Sequence, residues 1–186
     1  MRKFLIVVAG LFIGACGSNS NTAPAADSSK TKTDSVAAAQ PIKSPYPIVY
    51  SSSFTIDDPK YAETLLALWK AYDNGDLAAS KNMIADTLTV YMADGKMYKG
   101  SRDSMTADVQ KERNMYKSVA STVNSVMAVK SDKGEHWALI WGSDKRTDKK
   151  GKEETTEWQE TWRFNDKGQA DLMYQYAEKP QASMKK

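Results

Sequence analysis

The amino-acid sequence predicts an α+β domain in which an antiparallel sheet wraps around about three N-terminal helices. Three observations predict this class. Helical patterns occur between residues 57 and 117, most of the chain from residue 119 onward alternates as strands do, and short turn signals separate these strands. The domain is assigned to residues 54–179, a length that suits a single core, and no internal repeat is visible.

Three helices are predicted from caps and apolar spacing. The first follows Asp57-Asp58-Pro59 and ends at Asn74-Gly75, because proline favours the first helical position. Asp76 is expected to cap a second, short helix over residues 77–83, and the third runs from Gly100-Ser101 to about Lys117. One face of the first helix carries Tyr61, Leu65, Leu68, Trp69 and Tyr72, and one face of the third carries Met105, Val109, Glu112 and Tyr116.

The strands are predicted from alternation and turn residues. Leu88, Val90 and Met92 share one face of the first strand, and Asp94-Gly95 turns the chain into a short strand around residues 97 and 98. The later strands are expected over residues 119–130, 136–141, 153–164 and 171–177, with a charged hairpin over residues 144–152.

The N-terminal region carries the features of a lipoprotein signal. Arg2 and Lys3 precede an apolar run over residues 4–13, which is too short to span a bilayer as a helix. Small residues then lead to Cys16, the only cysteine, in a pattern that resembles a bacterial lipobox. We therefore expect a signal peptide over residues 1–15, lipidation of Cys16 and a lipid-anchored protein of the bacterial cell envelope at the outer membrane.

Two flanking segments have compositions that cannot form a core. Residues 16–53 are rich in Ser, Ala, Thr, Pro and Lys, so this segment is predicted to be a flexible tether, although residues 48–54 could pack on the domain as a short extended segment. Residues 180–186 are predicted to be a disordered tail.

Charge and composition exclude several function classes. Residues 1–15 hold two basic and no acidic side chains, so 24 Lys and Arg would remain against 23 Asp and Glu, and nucleic acid is not an expected partner. His136 is the only histidine, which argues against zinc or iron, and no phosphate-binding or dinucleotide motif occurs. No metal and no cofactor are expected, and Asp86 and Asp171 are expected to cap strands or face water.

Four runs resemble the SnoaL-like, nuclear transport factor two-like superfamily, which has a cystatin-like fold. They are LWKAYDNGDL, IADTLTVYMADG, YKG before a helix, and TWRFNDKGQADLMYQY. The resemblance covers residues 57–178 and implies a cone of curved sheet closed by helices around a pocket. Members of the superfamily include ketosteroid isomerases, polyketide cyclases, dehydratases, epoxide hydrolases and adaptors without catalysis, so the fold does not settle the function.

Matching this sequence to a ketosteroid isomerase implies an incomplete catalytic set. The general base of that enzyme falls on Met92, which cannot take a proton, and the oxyanion-hole tyrosine falls near Leu68. The second oxyanion donor, an aspartic acid held protonated by its apolar site, falls on Glu160. Alternation independently places Glu160 on one strand face with Trp158 and Trp162.

The residues expected to line the pocket are aromatic or apolar, with one acid among them. They are Trp69, Tyr72, Met92, Met105, Trp141, Trp158, Glu160, Trp162 and Tyr174. The leading hypothesis is a pocket protein that binds a small hydrophobic or amphipathic molecule, or serves as an accessory module, without complete catalysis.

Two other hypotheses remain. The first is a cyclase, isomerase or dehydratase with Glu160 as the acid and His136 or a late-strand carboxylate as the base, although alternation favours an outer-face or capping position for His136. The second is a homodimer or partner interface on the outer face of the sheet, formed by Thr155, Gln159, Thr161 and Arg163.

Overall fold

The computed structural model describes residues 42–178, in which seven strands, two α-helices and one 3-10 helix follow one another. In chain order these are β1 (Phe54–Ile56), α1 (Lys60–Asn74), the 3-10 helix (Leu77–Met83), β2 (Ile84–Tyr91), β3 (Met97–Ser101), α2 (Arg102–Arg113), β4 (Tyr116–Ser131), β5 (His136–Asp148), β6 (Glu153–Phe164) and β7 (Ala170–Glu178). This order confirms the predicted α+β class. The proposed signal peptide, Cys16, most of the proposed tether and the tail over residues 180–186 lie outside the described residues.

The second and third helices begin at the predicted caps, whereas α1 begins one residue later than expected, with Pro59 as its N-cap and not as its first helical residue, and the third helix ends earlier than expected. The Asp76 side chain accepts a hydrogen bond from the Ala79 N–H at the start of the 3-10 helix, and Ser101 accepts one from the Ser104 N–H at the start of α2. Helix α2 ends at Arg113 instead of near Lys117. The Arg113 guanidinium donates to the carbonyls of Tyr72, Asp73 and Tyr116, and these bonds fix the turn from α2 into β4.

The seven strands form one mixed sheet in the order β1-β4-β5-β6-β7-β2-β3. All neighbouring strands are antiparallel except β2 and β7, which are parallel. The expectation of a purely antiparallel sheet is therefore wrong for this pair. Helix α1 and the 3-10 helix separate β1 from β2 along the chain, and α2 separates β3 from β4. In the sheet, β2 and β3 lie at one end, next to β7, and β1 lies at the other end, next to β4.

Strand β5 extends through the segment predicted to be a charged hairpin. Residues 144–147 pair with β6 in an unbroken register, and only residues 149–151 turn, with the Asp148 side chain accepting from the N–H groups of Lys150 and Lys152. The prediction of a charged hairpin over residues 144–152 is therefore wrong in extent, because β5 continues to Asp148. Its charged side chains Asp144 and Arg146 belong to the inner face of the sheet, where they pair with each other.

The core lies between α1 and the inner face of the sheet. Tyr61, Leu65 and Leu68 of α1 are buried there, together with Ala138 and Ile140 of β5. Gly142 continues the same face of β5. A Cβ atom at this position would lie 2.3 Å from the carbonyl oxygen of Thr122 and 3.1 Å from the Trp69 ring, so only glycine lets α1 and β4 approach β5 this closely.

The outer face of the sheet is partly covered by the chain that precedes β1. The Tyr50 ring packs edge-on against Trp137 with ring centres 5.2 Å apart, and its hydroxyl lies 2.6 Å from that of Tyr174. Ser51 also donates to Asp132, so contacts with the domain begin before residue 54. Among residues 42–178, no helix has the length and apolar character needed to cross a membrane.

Candidate functional site

A cavity of about 530 Å³ lies between α1, α2, the 3-10 helix and the inner face of the sheet. Its walls are largely apolar and aromatic. Helix α1 contributes Leu68, Trp69 and Tyr72, β2 contributes Leu88 and Val90, and α2 contributes Met105 and Val109. Trp158, Trp162 and Met173 close the side formed by β6 and β7, while Met92, Tyr98 and Asp108 complete the side near the β2–β3 turn and α2. A volume of this size suits a small organic molecule.

Glu160 lies in the wall of the cavity and is held by three N–H donors. It faces inward from β6 opposite Ile140 of β5, and only 6% of its surface is exposed. The indole N–H groups of Trp69 and Trp162 donate to Oε2 over 2.8 and 2.9 Å, and the Gln175 amide donates to Oε1 over 2.9 Å. These bonds tie α1, β6 and β7 together at one carboxylate.

The hydrogen-bond set makes Glu160 an acceptor. The two indole N–H groups can only donate, the Gln175 amide nitrogen also donates in this structure, and no acceptor for a carboxylic O–H is bonded to Glu160 among the described residues. An oxyanion donor of the type implied by the superfamily resemblance must instead present a proton. The geometry therefore supports a structural and acceptor role for Glu160 more than a role as a proton donor.

A second polar cluster in the cavity centres on Arg146 of β5. Its Nε and NH2 groups donate to Asp144 Oδ2 over 2.9 and 2.7 Å, and its NH1 donates to Glu112 Oε1 over 3.1 Å. The guanidinium lies over the rings of Tyr72, Tyr116 and Trp158, with centre distances of 5.6, 5.2 and 5.3 Å. The Tyr72 hydroxyl also donates to Glu112 over 3.1 Å.

Burial shifts the pKa values of two members of this cluster. Burial raises the pKa of the Tyr72 hydroxyl, and the Arg146 charge nearby opposes this shift only in part. For Arg146 burial is the largest single effect and lowers the pKa, but the hydrogen bonds to Asp144 together with the neighbouring charges outweigh it and the pKa is raised. Tyr72 is therefore neutral and Arg146 charged across the physiological pH range.

Three polar atoms of cavity-lining residues have no hydrogen-bond partner in the described part of the chain. They are Asp144 Oδ1, Trp158 Nε1 and Thr106 Oγ1. One is an acceptor, one a donor, and the hydroxyl can act as either. Unpaired buried polar atoms are costly, and each of these three is closed to solvent, so a ligand would reach them only after a side chain moves.

Seven of the nine residues predicted to line the pocket do line this cavity. They are Trp69, Tyr72, Met92, Met105, Trp158, Glu160 and Trp162. The assignments of Trp141 and Tyr174 are wrong. Trp141 follows the inward-facing Ile140 and so lies on the outer face, and Tyr174 stacks on Tyr91 with ring centres 4.7 Å apart.

The expectation of an outer-face His136 is also wrong. The small side chains of β5, Ala138 and Gly142, face α1, because the helix leaves no room there for the tryptophans of that strand. His136 shares this inner face, where its ring stacks on Tyr61 and Nδ1 lies 2.6 Å from Asp57 Oδ2. It does not line the cavity that contains Glu160, so the predicted pairing of Glu160 with a His136 base is not formed.

Asp144 and Arg146 are the site residues that the sequence reasoning missed. The signal was present, since the alternation of Ala138, Ile140 and Gly142 continues directly to residues 144 and 146. Asp86 and Asp171, expected to cap strands or face water, pair with Arg102 and Arg163 outside the cavity. Within residues 42–178 no three His, Cys, Asp or Glu side chains converge as a metal site would require.

No protein-family model and no curated protein matches the chain. Solved structures do match. AusH from Aspergillus nidulans is 16% identical over 67% of this chain and 87% of its own, with a TM-score of 0.54. An LEH-like epoxide hydrolase from M. tuberculosis is 11% identical over 64% and 83%, with a TM-score of 0.53. An NTF2-like protein of unknown function from Exiguobacterium sp. 255-15 is 13% identical over 63% and 99%, with a TM-score of 0.52.

At these identities the similarity establishes the fold alone. The described domain has the nuclear transport factor two-like fold, in which a curved sheet and its helices surround a cavity, as the resemblance implied.

Proposed function

We propose that this domain binds a small, largely apolar molecule in the cavity between its helices and the sheet. The single observation that carries the proposal is the cavity itself, about 530 Å³ in volume and walled by Trp69, Trp158 and Trp162. Rigid aromatic walls offer a ligand large apolar contact at low entropic cost. Because Glu160 fixes the Trp69 and Trp162 rings through their indole N–H groups, these walls are held in place before a ligand arrives.

Binding without turnover is favoured over isomerase chemistry by two residues. Met92 lies in the cavity wall at the position that the resemblance assigns to the general base, and a thioether takes no proton. Glu160 is engaged as an acceptor by three donors. The isomerase set therefore lacks both its base and its proton-donating acid.

A substitution that fills the cavity tests the binding proposal. The neutral fluorophore N-phenyl-1-naphthylamine is titrated into the full chain, into Met105→Trp and into Met115→Trp, where Met105 lines the cavity and Met115 is 55% exposed outside it. We expect wild type and Met115→Trp to bind equally and Met105→Trp to bind about tenfold or more weakly, since a bulkier side chain removes ligand volume. Equal binding by all three proteins would refute the assignment of the cavity as the site.

A second candidate function is acid–base catalysis in the same cavity, favoured by Asp144. Its Oδ1 is unpaired while Arg146 holds Oδ2, which is the arrangement of an oriented carboxylate base. An epoxide hydrolase-like protein is among the structures that share the fold. Hydrolysis of styrene oxide by the full chain, lost in Asp144→Asn and kept in Asp171→Asn, would establish this function. No hydrolysis above the buffer rate would dismiss it for that substrate.

We also propose that the domain is anchored to the bacterial envelope through a lipid on Cys16, at the outer membrane. The apolar run over residues 4–13 and the small residues before Cys16 support this proposal. The full chain and its Cys16→Ser variant would be compared by membrane fractionation. The proposal predicts that wild type sediments with membranes and that the variant does not; equal sedimentation of both would contradict it.

Self-association through the outer sheet face stays a proposal. Thr155 is exposed in that face, but Arg163 is already paired with Asp171 and Glu135, and Tyr50 covers Trp137 beside them. Light scattering of the full chain and of a Thr155→Arg variant would decide. A dimer mass that the substitution reduces to a monomer supports the interface, and a monomer mass for both excludes it.

A further inference from the structure

We propose that the ligand of this cavity carries a positive charge, as an amine or another organic cation attached to an apolar body. This inference rests on the proposed binding function and adds the chemical class of the ligand. Four carboxylates line the cavity, those of Asp108, Glu112, Asp144 and Glu160, against the single cation Arg146. No lysine lines it among the described residues, so the lining carries a formal excess of three negative charges.

Arg146 is already paired with two carboxylates, which makes it a poor site for a further anion. All three of its nitrogen atoms are hydrogen-bonded, Nε and NH2 to Asp144 and NH1 to Glu112 and the Tyr116 hydroxyl. Three aromatic rings also surround the guanidinium. The nearby Arg113 is bonded to backbone carbonyls and does not line the cavity. An anionic ligand would therefore meet a net negative lining with no free cation to receive it.

Asp144 places a buried negative charge in the cavity wall, which a cation would offset. The residue is only 5% exposed, its Oδ2 receives both bonds from Arg146, and its Oδ1 has no partner among the described residues. A buried carboxylate oxygen without a donor is costly, and a positive charge placed in the cavity beside Asp144 would offset that cost electrostatically.

Aromatic faces favour the same ligand class. Trp158 and Tyr72 line the cavity, and the Arg146 guanidinium already lies over their rings, so this part of the wall accommodates organic cations. The walls farther in, formed by Leu88, Val90 and Met105, are apolar. We place the charged group of the ligand beside Asp144 and its apolar body against these inner walls.

Three ligands that share one apolar body test the inference. The ligands are 2-(1-naphthyl)ethylamine, which is positively charged, 2-(1-naphthyl)ethanol, which is neutral, and the anion of 1-naphthylacetic acid. Calorimetric titration of the full chain gives an affinity for each. We expect the amine to bind about tenfold or more tightly than the alcohol and the carboxylate to bind weakest. Asp144→Asn should weaken the amine about fivefold and leave the alcohol unchanged, because only the charge is removed.

Asp171→Asn is the matched control, since Asp171 is an arginine-paired carboxylate outside the cavity. If Asp144→Asn does not fold, Asp108→Asn replaces it, because Asp108 lines the cavity from an exposed position; a loss of about twofold is then expected for the amine alone. Equal affinity for amine and alcohol, or tightest binding of the carboxylate, overturns the inference and leaves the binding function standing. If no naphthyl ligand and no N-phenyl-1-naphthylamine binds, both fail.

Discussion

At the scale of single residues, Glu160 is a buried acid that holds two side chains of the cavity wall in place. Its carboxylate accepts hydrogen bonds from neutral N–H donors on three elements, and no cation within residues 42–178 is paired with it. Hydrogen bonds to an ionised carboxylate are about twice as strong as neutral ones, which offsets part of the cost of burying it. The carboxylate thereby orients two of the tryptophans that form the cavity wall.

Replacing Glu160 separates hydrogen bonding from charge. Glu160→Gln keeps a carbonyl acceptor for the two indoles and should lower the free energy of unfolding by about 1–2 kcal/mol. Glu160→Met leaves both indole N–H groups unpaired, so we expect a loss of about 3–4 kcal/mol. Urea denaturation measures both values. Greater stability of the Met variant than of wild type would mean that burial of the charge, and not loss of its bonds, dominates at this site.

Tyr72 gives a pH-dependent prediction at the same scale. Its folded-state pKa is raised above the ordinary value of 10.0, so the unfolded chain loses this proton first as the pH rises. The contribution of Tyr72 to the free energy of unfolding is complete below pH 10 and declines above it, because ionisation of the hydroxyl then favours the unfolded state. We expect the free energy of unfolding to fall less steeply between pH 10 and pH 12 in Tyr72→Phe than in wild type. Parallel slopes for the two proteins would show that Tyr72 titrates normally.

At the scale of elements, the shape of the cavity depends on where β4 bends over β5. The register of β4 shifts between Val123 and Ser125, and Gly142 of β5 pairs with Val123 at that irregularity. A bulge bends its strand, and a glycine opposite it allows close backbone approach. Trp69 of α1 lies against the same glycine, so one position sets the distance between helix and sheet.

Gly142→Ala should therefore be more damaging than an alanine at a turn glycine. The added Cβ would meet the Thr122 backbone at 2.3 Å, which cannot move away without distorting β4, and we expect a loss of about 3 kcal/mol or more. Gly151→Ala is the control. The Cβ of an alanine at position 151 would have open space around it, so the variant should lose only about 1 kcal/mol, the cost of a positive φ of 87°. Thermal denaturation of both variants makes the comparison, and an equal or smaller loss for Gly142→Ala would contradict the packing argument.

The elements also show what the sequence could and could not predict. Caps and turns placed the starts of the second and third helices and the β6 strand correctly, and alternation placed Glu160 beside Trp158 and Trp162, because these signals are local. The inner face of β5 was misjudged because large aromatic side chains usually mark the core, whereas here α1 requires the small Ala138 and Gly142. Asp144 and Arg146 resembled loop charges, since the residues that Arg146 contacts, Glu112 and Tyr72, come from distant parts of the chain.

At the scale of the whole molecule, the five tryptophans divide between two environments. Trp69, Trp158 and Trp162 line the cavity, whereas Trp137 and Trp141 lie on the outer face of the sheet. Trp137 is 4% exposed because Tyr50 covers it, so the outer face has an apolar cluster of its own. Burial alone does not distinguish the two groups, and only their position relative to the cavity does.

This division provides the most direct test of ligand binding in the cavity. The indole N–H resonances of the ¹⁵N-labelled full chain are assigned with Trp→Phe variants and followed during titration with N-phenyl-1-naphthylamine. We predict that the signals of Trp69, Trp158 and Trp162 shift with one dissociation constant, while those of Trp137 and Trp141 stay in place, because ring currents of a bound aromatic ligand act over a few ångströms. Shifts confined to Trp137 and Trp141 would place the ligand on the outer face and contradict the account.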